Sequence, residues 1–487
     1  MTALAPEAAT PARGAAWLPA ATWTAVLVVY AVLLFAPQVL NDGDTYWHLA
    51  AGEWMLAHRQ VLHADPFSYT FAGKPWTTHE WFSEILMALA FRAGGWGGVM
   101  ALTASAAALA AGLMAGYLRP RLGLIPLALS LALGLACLAP GLLARPHVLA
   151  FPVLVAWAVG LLKARDADRA PHPGLLALMV LWANLHGSFV LGLALIGPFA
   201  LEALIAARAR PWPVIRGWGL FGLGALAAAA VTPHGPAGLL FPFQLMGMTS
   251  APTIDEWRPL DFSTFQPLEA GLIALLLVGF SRGLKIPPLR LLLLVGLLHM
   301  SLQHNRHAMV LGLLAPLLLA DPLSRVTKPP EPAAPPANPA AAVVLALMIG
   351  LTVGRMAAQP VRSDALTTPA TALAAVPADL ARRPVLNEYG FGGYLIFQGV
   401  RPFIDGRADM YGDAFVHAYD RTVSGDPAAL TRTLEEHGVR WTILHPNNRA
   451  VPVLDRLPGW RRLHADAYGV VHVKDDPAVM ALRGALD

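Results

Sequence analysis

The chain is dominated by apolar, almost uncharged runs, many approaching the roughly 20 residues that an α-helix needs to cross a bilayer core. They fall near 17–40, 96–118, 124–144, 148–162, 175–185, 189–206, 218–231, 268–280, 291–302, 308–319 and 341–353. In lipid the backbone must satisfy its own hydrogen bonds, so runs of this kind become helices, about eleven in all, several short enough to be tilted or broken. Charged residues are only 14% of the 487, against about 25% in soluble domains. An ordinary soluble globular protein is excluded.

Loop charge orients the spans. The segment 1–16 holds one Arg and one Glu, and the run after it is too long for a signal-peptide core, so it reads as an uncleaved first span. Arg119 with Arg121, Lys163 with Arg165 and Arg169, Arg208 with Arg210 and Arg216, Arg282 with Lys285, and Arg325 with Lys328 occupy alternate connections. Basic loops stay cytoplasmic, which puts the long loop 41–95 and the tail outside. The net charge of +4 comes from these loops, so no nucleic-acid partner is expected. Residues 327–340 (TKPPEPAAPPANPA) read as a cytoplasmic linker. The one cysteine, Cys137, precludes an intrachain disulfide and a thiolate zinc site.

The expected fold class is therefore a membrane α-helical bundle, 1–358, followed by a small extracytoplasmic α/β domain, 359–487. The tail carries β-like runs at RPVLNEY, RPFIDGR, VRWTILH and GVVHVK, with a helical AALTRTLEEH between two of them. There is no internal repeat and no Walker or GxGxxG pattern, so neither an ATP-driven pump nor a nucleotide-dependent dehydrogenase is indicated.

Unusual polar residues cluster at the expected outer ends of the spans. The first outer loop carries Asp42, Asp44, His48, Glu53, His79, Glu80 and Glu84; other ends carry Arg145 and His147, Asn184 and His186, His234, and Asp255, Glu256 and Arg258. HMSLQHNRH adds His299, Gln303, Arg306 and His307 at helical spacing. Ionisable groups at membrane depth cost several kcal/mol unless paired or facing water, so so many at one leaflet mark a polar cavity. Asp44 and His48 lie one turn apart if Asp44 or Thr45 caps a helix. Individually, Asp44 also fits a helix cap, the loop tryptophans fit interfacial aromatics, and a lone histidine fits a packing role.

The guanidinium groups of Arg145, Arg258 and Arg306 match phosphate oxygens. Asp42 and Asp44 supply a base for a hydroxyl while cations stabilise a departing phosphate. The same DGD triplet also suits Mg²⁺ or Mn²⁺, with Glu80 or a histidine assisting, or plain turn chemistry.

With these residues the chain resembles the GT-C superfamily of polytopic membrane glycosyltransferases, in an uncleaved first span, an outer loop entered through DGD, about ten further spans and a C-terminal extracytoplasmic domain. The resemblance implies a polyprenyl-phosphate sugar donor, a lipid or glycan acceptor, hexosyl or pentosyl transfer in cell-envelope synthesis, and a multi-pass protein of a bacterial inner membrane. It places Asp44, or else Asp42, at the catalytic aspartate, with outer-end arginines binding phosphate. His48, His79, Glu80, Arg145, His147, His186, His234, Glu256, Arg258, Arg306 and His307 are the expected substrate-binding residues. The tail has no WWDYG-like signature, which speaks against whole-glycan transfer to asparagine.

In the tail, Gly390, Gly392 and Gly393 permit close backbone approach, and Asp405, Arg407 and Asp409 can bind sugar or metal, or simply brace a turn that docks the domain. A lid or acceptor-docking role is expected. Two non-enzymatic readings compete: a transporter or flippase of a lipid-linked glycan, which would want polar residues through to the inner leaflet and a repeat, and an assembly scaffold.

Overall fold

A computed structural model describes residues 20–250, 257–327 and 338–475. Residues 1–19, residues 328–337 of the expected linker, and Asp255 and Glu256 lie outside the described residues. The bundle comprises α1 (Ala20–Phe35), α2 (Asp44–His58), α3 (Trp81–Leu118), α4 (Leu124–Leu138), α5 (Pro146–Asp166), α6 (Leu175–Leu185), α7 (Phe189–Ala206), α8 (Pro211–Ala229), α9 (Pro236–Met246), α10 (Pro267–Arg282), α11 (Pro288–Gln303), α12 (Ala308–Ser324) and α13 (Asn338–Ala357). Every apolar run is helical. Among the described residues six helices are long and apolar enough to cross a membrane. Helix α9 was not expected, because Pro242 interrupts a short run.

Proline starts the helices rather than breaking them. Pro146, Pro211, Pro236, Pro267 and Pro288 each open a helix, where the missing N–H has no partner to lose. The expected first loop is shorter than 41–95, because α3 already begins at Trp81. That helix bends at Gly94 and Gly95, where φ is −156° and 54°. Gln359, just past α13, patches the broken ladder: its Nε2 donates to Gly94 O at 2.8 Å and its Oε1 accepts from Gly97 N at 3.1 Å. Helices α4 and α12 cross at Gly134 and Gly312, each so close to the other's carbonyl that a β-carbon would not fit.

Arg121 and Arg165, from two of the basic connections, meet at one end of the bundle. Arg290, only 6% exposed, pairs there with Glu202 at 3.1 Å, Asp166 at 3.5 Å and Asp321 at 3.6 Å, while Arg121 joins Asp166 and Asp321. Five connected elements are thereby tied by charge, each ion compensated by more than one partner.

The tail holds α14 (Ala370–Ala374), α15 (Ala378–Ala381), β1 (Val385–Asn387), α16 (Gly392–Phe397), α17 (Ala408–Val423), α18 (Pro427–Glu436), β2 (Trp441–Leu444), α19 (Val451–Leu454), β3 (Trp460–Ala465) and β4 (Val470–Lys474). The sheet order is β1-β2-β4-β3, with β1 and β2 parallel and the other pairs antiparallel. RPFIDGR is a loop, not a strand, because its Asp405 and Arg407 are committed to a buried ion network. The strand WRRLHA took its place and had no apolar alternation to betray it.

The first outer loop belongs physically with the tail. Tyr69 Oη donates to Val385 O at 3.0 Å, Thr70 Oγ1 donates to Phe403 O at 2.7 Å, and the Phe71 ring packs 4.9 Å from those of Tyr411 and Phe415. At the start of α2 the contact continues, with Tyr46 Oη 2.9 Å from Thr368 Oγ1 and Arg362 donating to Tyr46 Oη at 2.6 Å.

Candidate active site

The polar residues of the outer ends meet where the first loop, the tops of α3 and α5 and the tail converge. Helix α2 starts at Asp44 with Gly43, rather than Asp44 or Thr45, at the cap position, which still leaves Asp44 and His48 one turn apart. Asp42 Oδ1 accepts from the Asp44 N–H at 2.7 Å, and Trp47 Nε1 donates to Asp44 Oδ1 at 2.9 Å. These contacts hold the Asp44 carboxylate from its own turn.

Arg145 holds it from the other side. The residue sits in extended backbone just before α5, and the preceding Ala144 is clamped by two contacts: its N–H donates to Val39 O at 2.7 Å and its carbonyl accepts from Thr45 Oγ1 at 3.0 Å. The guanidinium bridges both aspartates, 2.8 Å from Asp44 Oδ2 and 3.4 Å from Asp42 Oδ2. An arginine at the positive end of a long helix is also a natural anion site.

Behind this pair lies a histidine–glutamate cluster. His48 and Glu84, each 1% exposed, approach to 3.2 Å. Glu80 faces His186 Nε2 at 3.3 Å, His79 Nε2 at 3.6 Å and His48 Nε2 at 3.8 Å. His147 stands 6.1 Å ring to ring from His186 and is 2.7 Å from Gly141 O. Burial pushes His48 well below its usual range, and the charges of Arg145, His79 and His147 act in the same direction. Burial also lowers His79. Both rings are therefore neutral at pH 7, each with one donor and one acceptor nitrogen.

The structure thus brings together Asp42, Asp44, His48, His79, Glu80, Arg145, His147 and His186. Arg306 stands close enough to act electrostatically on His79 and His186, and stacks 4.6 Å over the Trp257 ring. Three expected members have their described contacts outside this group. His234 sits at the rim against His63 and Thr78 O, 3.4 Å from the latter; His307 turns back to Met300 O at 3.2 Å; and Arg258 lies beside Asn305, accepting its N–H at 2.9 Å through the backbone. Glu256 is outside the described residues. As for Mg²⁺ or Mn²⁺, no three His, Cys, Asp or Glu side chains among the described residues converge as a metal would require, and Arg145 already supplies positive charge to Asp42 and Asp44.

The tail closes the site. Gly406 lies directly on the Asp44 carboxylate and Gly393 on Gly43 O, with no room for a β-carbon at either. Of the glycines expected to let a ligand approach, Gly393 instead packs on the DGD turn and Gly392 on Ile404 O and Asp405, while a β-carbon at Gly390 would meet only ordinary contact with Thr367. Arg407, fully buried, donates to Asp405 at 2.7 and 2.6 Å and to Asp65 of the first loop at 2.7 Å, with Trp76 4.7 Å beneath it. Tyr411 Oη donates to Asp405 at 2.7 Å. Gly406 and Tyr389, whose ring lies within the field of Asp44, Asp405 and Asp409, gave no signal in the sequence.

No protein-family profile and no curated protein sequence matches the chain. Among solved structures it is similar to the oligosaccharyltransferase of Archaeoglobus fulgidus in its apo form, with a TM-score of 0.52 and 13% identity over 87% of this chain and 69% of that one. It also aligns with ArnT from Cupriavidus metallidurans bound to undecaprenyl phosphate, at 14% identity over 94% of this chain and 98% of that one, but with a TM-score of 0.33 that carries no argument. At this identity the likeness is one of fold, which in this chain is a bundle of apolar helices followed by a small sheet domain.

Proposed function

We propose that the protein is a membrane glycosyltransferase that moves a sugar from a polyprenyl-phosphate donor to an acceptor hydroxyl at the extracytoplasmic face, with Asp44 as general base. The observation that carries this reading is the Arg145 guanidinium spanning Asp44 and Asp42 at the N-terminus of α5, a base and a phosphate-seeking cation held in one contact. Arrival of the donor phosphate draws Arg145 and the α5 terminus toward its oxygens and releases an Asp44 lone pair. The acceptor oxygen then attacks the anomeric carbon, its proton passes to Asp44, and the bond from that carbon to the phosphate oxygen breaks with its electron pair on the phosphate. Arg145 and Arg306 stabilise the negative charge that leaves. Configuration inverts because attack and departure occur on opposite faces.

Transfer of radiolabelled sugar from a panel of polyprenyl-phosphate sugars by the purified protein, with and without EDTA, tests this. Turnover that persists in EDTA is the expected result. Loss in EDTA would recast Asp42 and Asp44 as metal ligands. Absence of transfer from every donor, while labelled lipid crosses proteoliposomes, would replace the enzyme with a flippase.

A further inference from the structure

The two oxygens of the Asp44 carboxylate have different neighbours. Oδ2 meets Arg145 at 2.8 Å, whereas Oδ1 accepts the indole N–H of Trp47 at 2.9 Å and is the atom on which Gly406 packs. The indole has little freedom of its own. It is 7% exposed, and its ring stands 3.6 Å from that of His48 and 5.9 Å from that of Trp76, which in turn lies 4.7 Å under the buried guanidinium of Arg407. The tail adds to the enclosure: a β-carbon at Gly393 would reach Trp47 Cδ1 at 3.3 Å, and one at Gly406 would reach Trp47 Nε1 at 3.1 Å. Residues of the first loop and of the tail thus hold one ring, and that ring holds one oxygen of the carboxylate.

We propose that Trp47 is a positioning residue for the base: its N–H fixes Asp44 Oδ1, so that Oδ2, on the Arg145 side, is the atom that takes the acceptor's proton. This rests on the glycosyltransferase reading above and assigns the reacting atom within it. The terminal torsion of an aspartate is broad and roughly two-fold, so the two oxygens exchange places unless a directional partner marks one of them. Arg145 cannot mark one, because a guanidinium fork pairs with either oxygen or with both. An indole can, since it offers a single donor on a rigid ring and no acceptor. With Oδ1 kept on Trp47, the acceptor hydroxyl gives its proton to Oδ2 as its oxygen attacks the anomeric carbon and the electron pair leaves on the phosphate. Packing alone would ask only for a ring at position 47; fixing Oδ1 asks for the N–H.

The test uses full-length wild type, W47F and W76F in membrane vesicles that contain the natural acceptor. Transfer from radiolabelled polyprenyl-phosphate sugar is followed across donor concentration to separate kcat from KM, and binding of undecaprenyl phosphate to the purified proteins is measured in parallel. The expected result is a kcat lowered about 10- to 100-fold in W47F, as loss of one hydrogen bond to a charged group requires. Its donor KM and its undecaprenyl phosphate Kd stay within about threefold of wild type, because the interaction lost serves the reacting geometry and not the binding of the donor. W76F shortens the neighbouring ring in the same way but takes no donor from Asp44, so its kcat stays within about threefold. A wild-type kcat in W47F would overturn the assignment. So would a joint loss of kcat and lipid binding in W47F, or an equal loss of kcat in W76F, either of which is the mark of packing. Wild type that binds the lipid but transfers nothing would overturn the glycosyltransferase reading itself, and the role of Trp47 with it.

Discussion

Gly406 lies against the carboxylate of Asp44, so a residue from the C-terminal domain forms one wall around the proposed base on the first outer loop. The contact leaves no room for a methyl group. Gly406→Ala is therefore expected to displace Asp44, and a misplacement of about 1 Å is enough to lower transfer on the order of 100-fold. Far-UV circular dichroism of the variant should match wild type, because Gly406 is outside every helix and strand. Full activity in Gly406→Ala would mean that the tail swings clear of the base during turnover.

The Arg407 network should govern the stability of the tail. Arg407 and Asp65 are fully buried, and Arg407→Ala leaves the Asp65 and Asp405 carboxylates without a counter-charge. Breaking a buried pair in this way costs about 3–5 kcal/mol. Thermal unfolding in detergent should show the tail melting well below its wild-type midpoint, while the helical signal of the bundle persists.

The connection after α9 is latched to the tail by Asp413, whose carboxylate accepts from the Thr249 and Ser250 amides at 2.9 Å each and from Ser250 Oγ at 2.7 Å. Those hydrogen bonds hold its carboxyl far below the usual range. A depressed carboxylate stabilises the fold above its unfolded pKa, and the contribution fades as pH falls toward the folded value. Asp413→Ala should raise hydrogen exchange at Thr249 and Ser250 at neutral pH. In wild type the protection should survive mild acid.

Much of this architecture was legible in the sequence because a bilayer imposes it. Apolar runs become helices when no water can satisfy the backbone, and the basic loops sort to one end, where Arg121 and Arg290 now meet Asp166. Asp44 at a helix start, and the company of Arg145, His147 and His186, followed from helix phase and from the cost of ionisable groups near lipid. Residues whose role depends on the tail's docking did not. Nothing local marks Gly406 as the wall beside Asp44, and although Asp405 and Arg407 suggest a braced docking turn, nothing marks Asp65, 342 positions away, as the partner of Arg407. His307 has the spacing expected for the outer rim, but in the turn after α11 its ring meets Met300 O.

The central claim is that Asp44 takes the acceptor proton, and the most direct measurement is single-turnover transfer from a polyprenyl-phosphate sugar by wild type and Asp44→Asn. Asparagine keeps the shape and can still meet Gly406, but cannot accept the proton, so a loss of about 10²- to 10⁴-fold in rate is predicted, with undecaprenyl phosphate still bound. A variant that turns over at the wild-type rate would contradict the account.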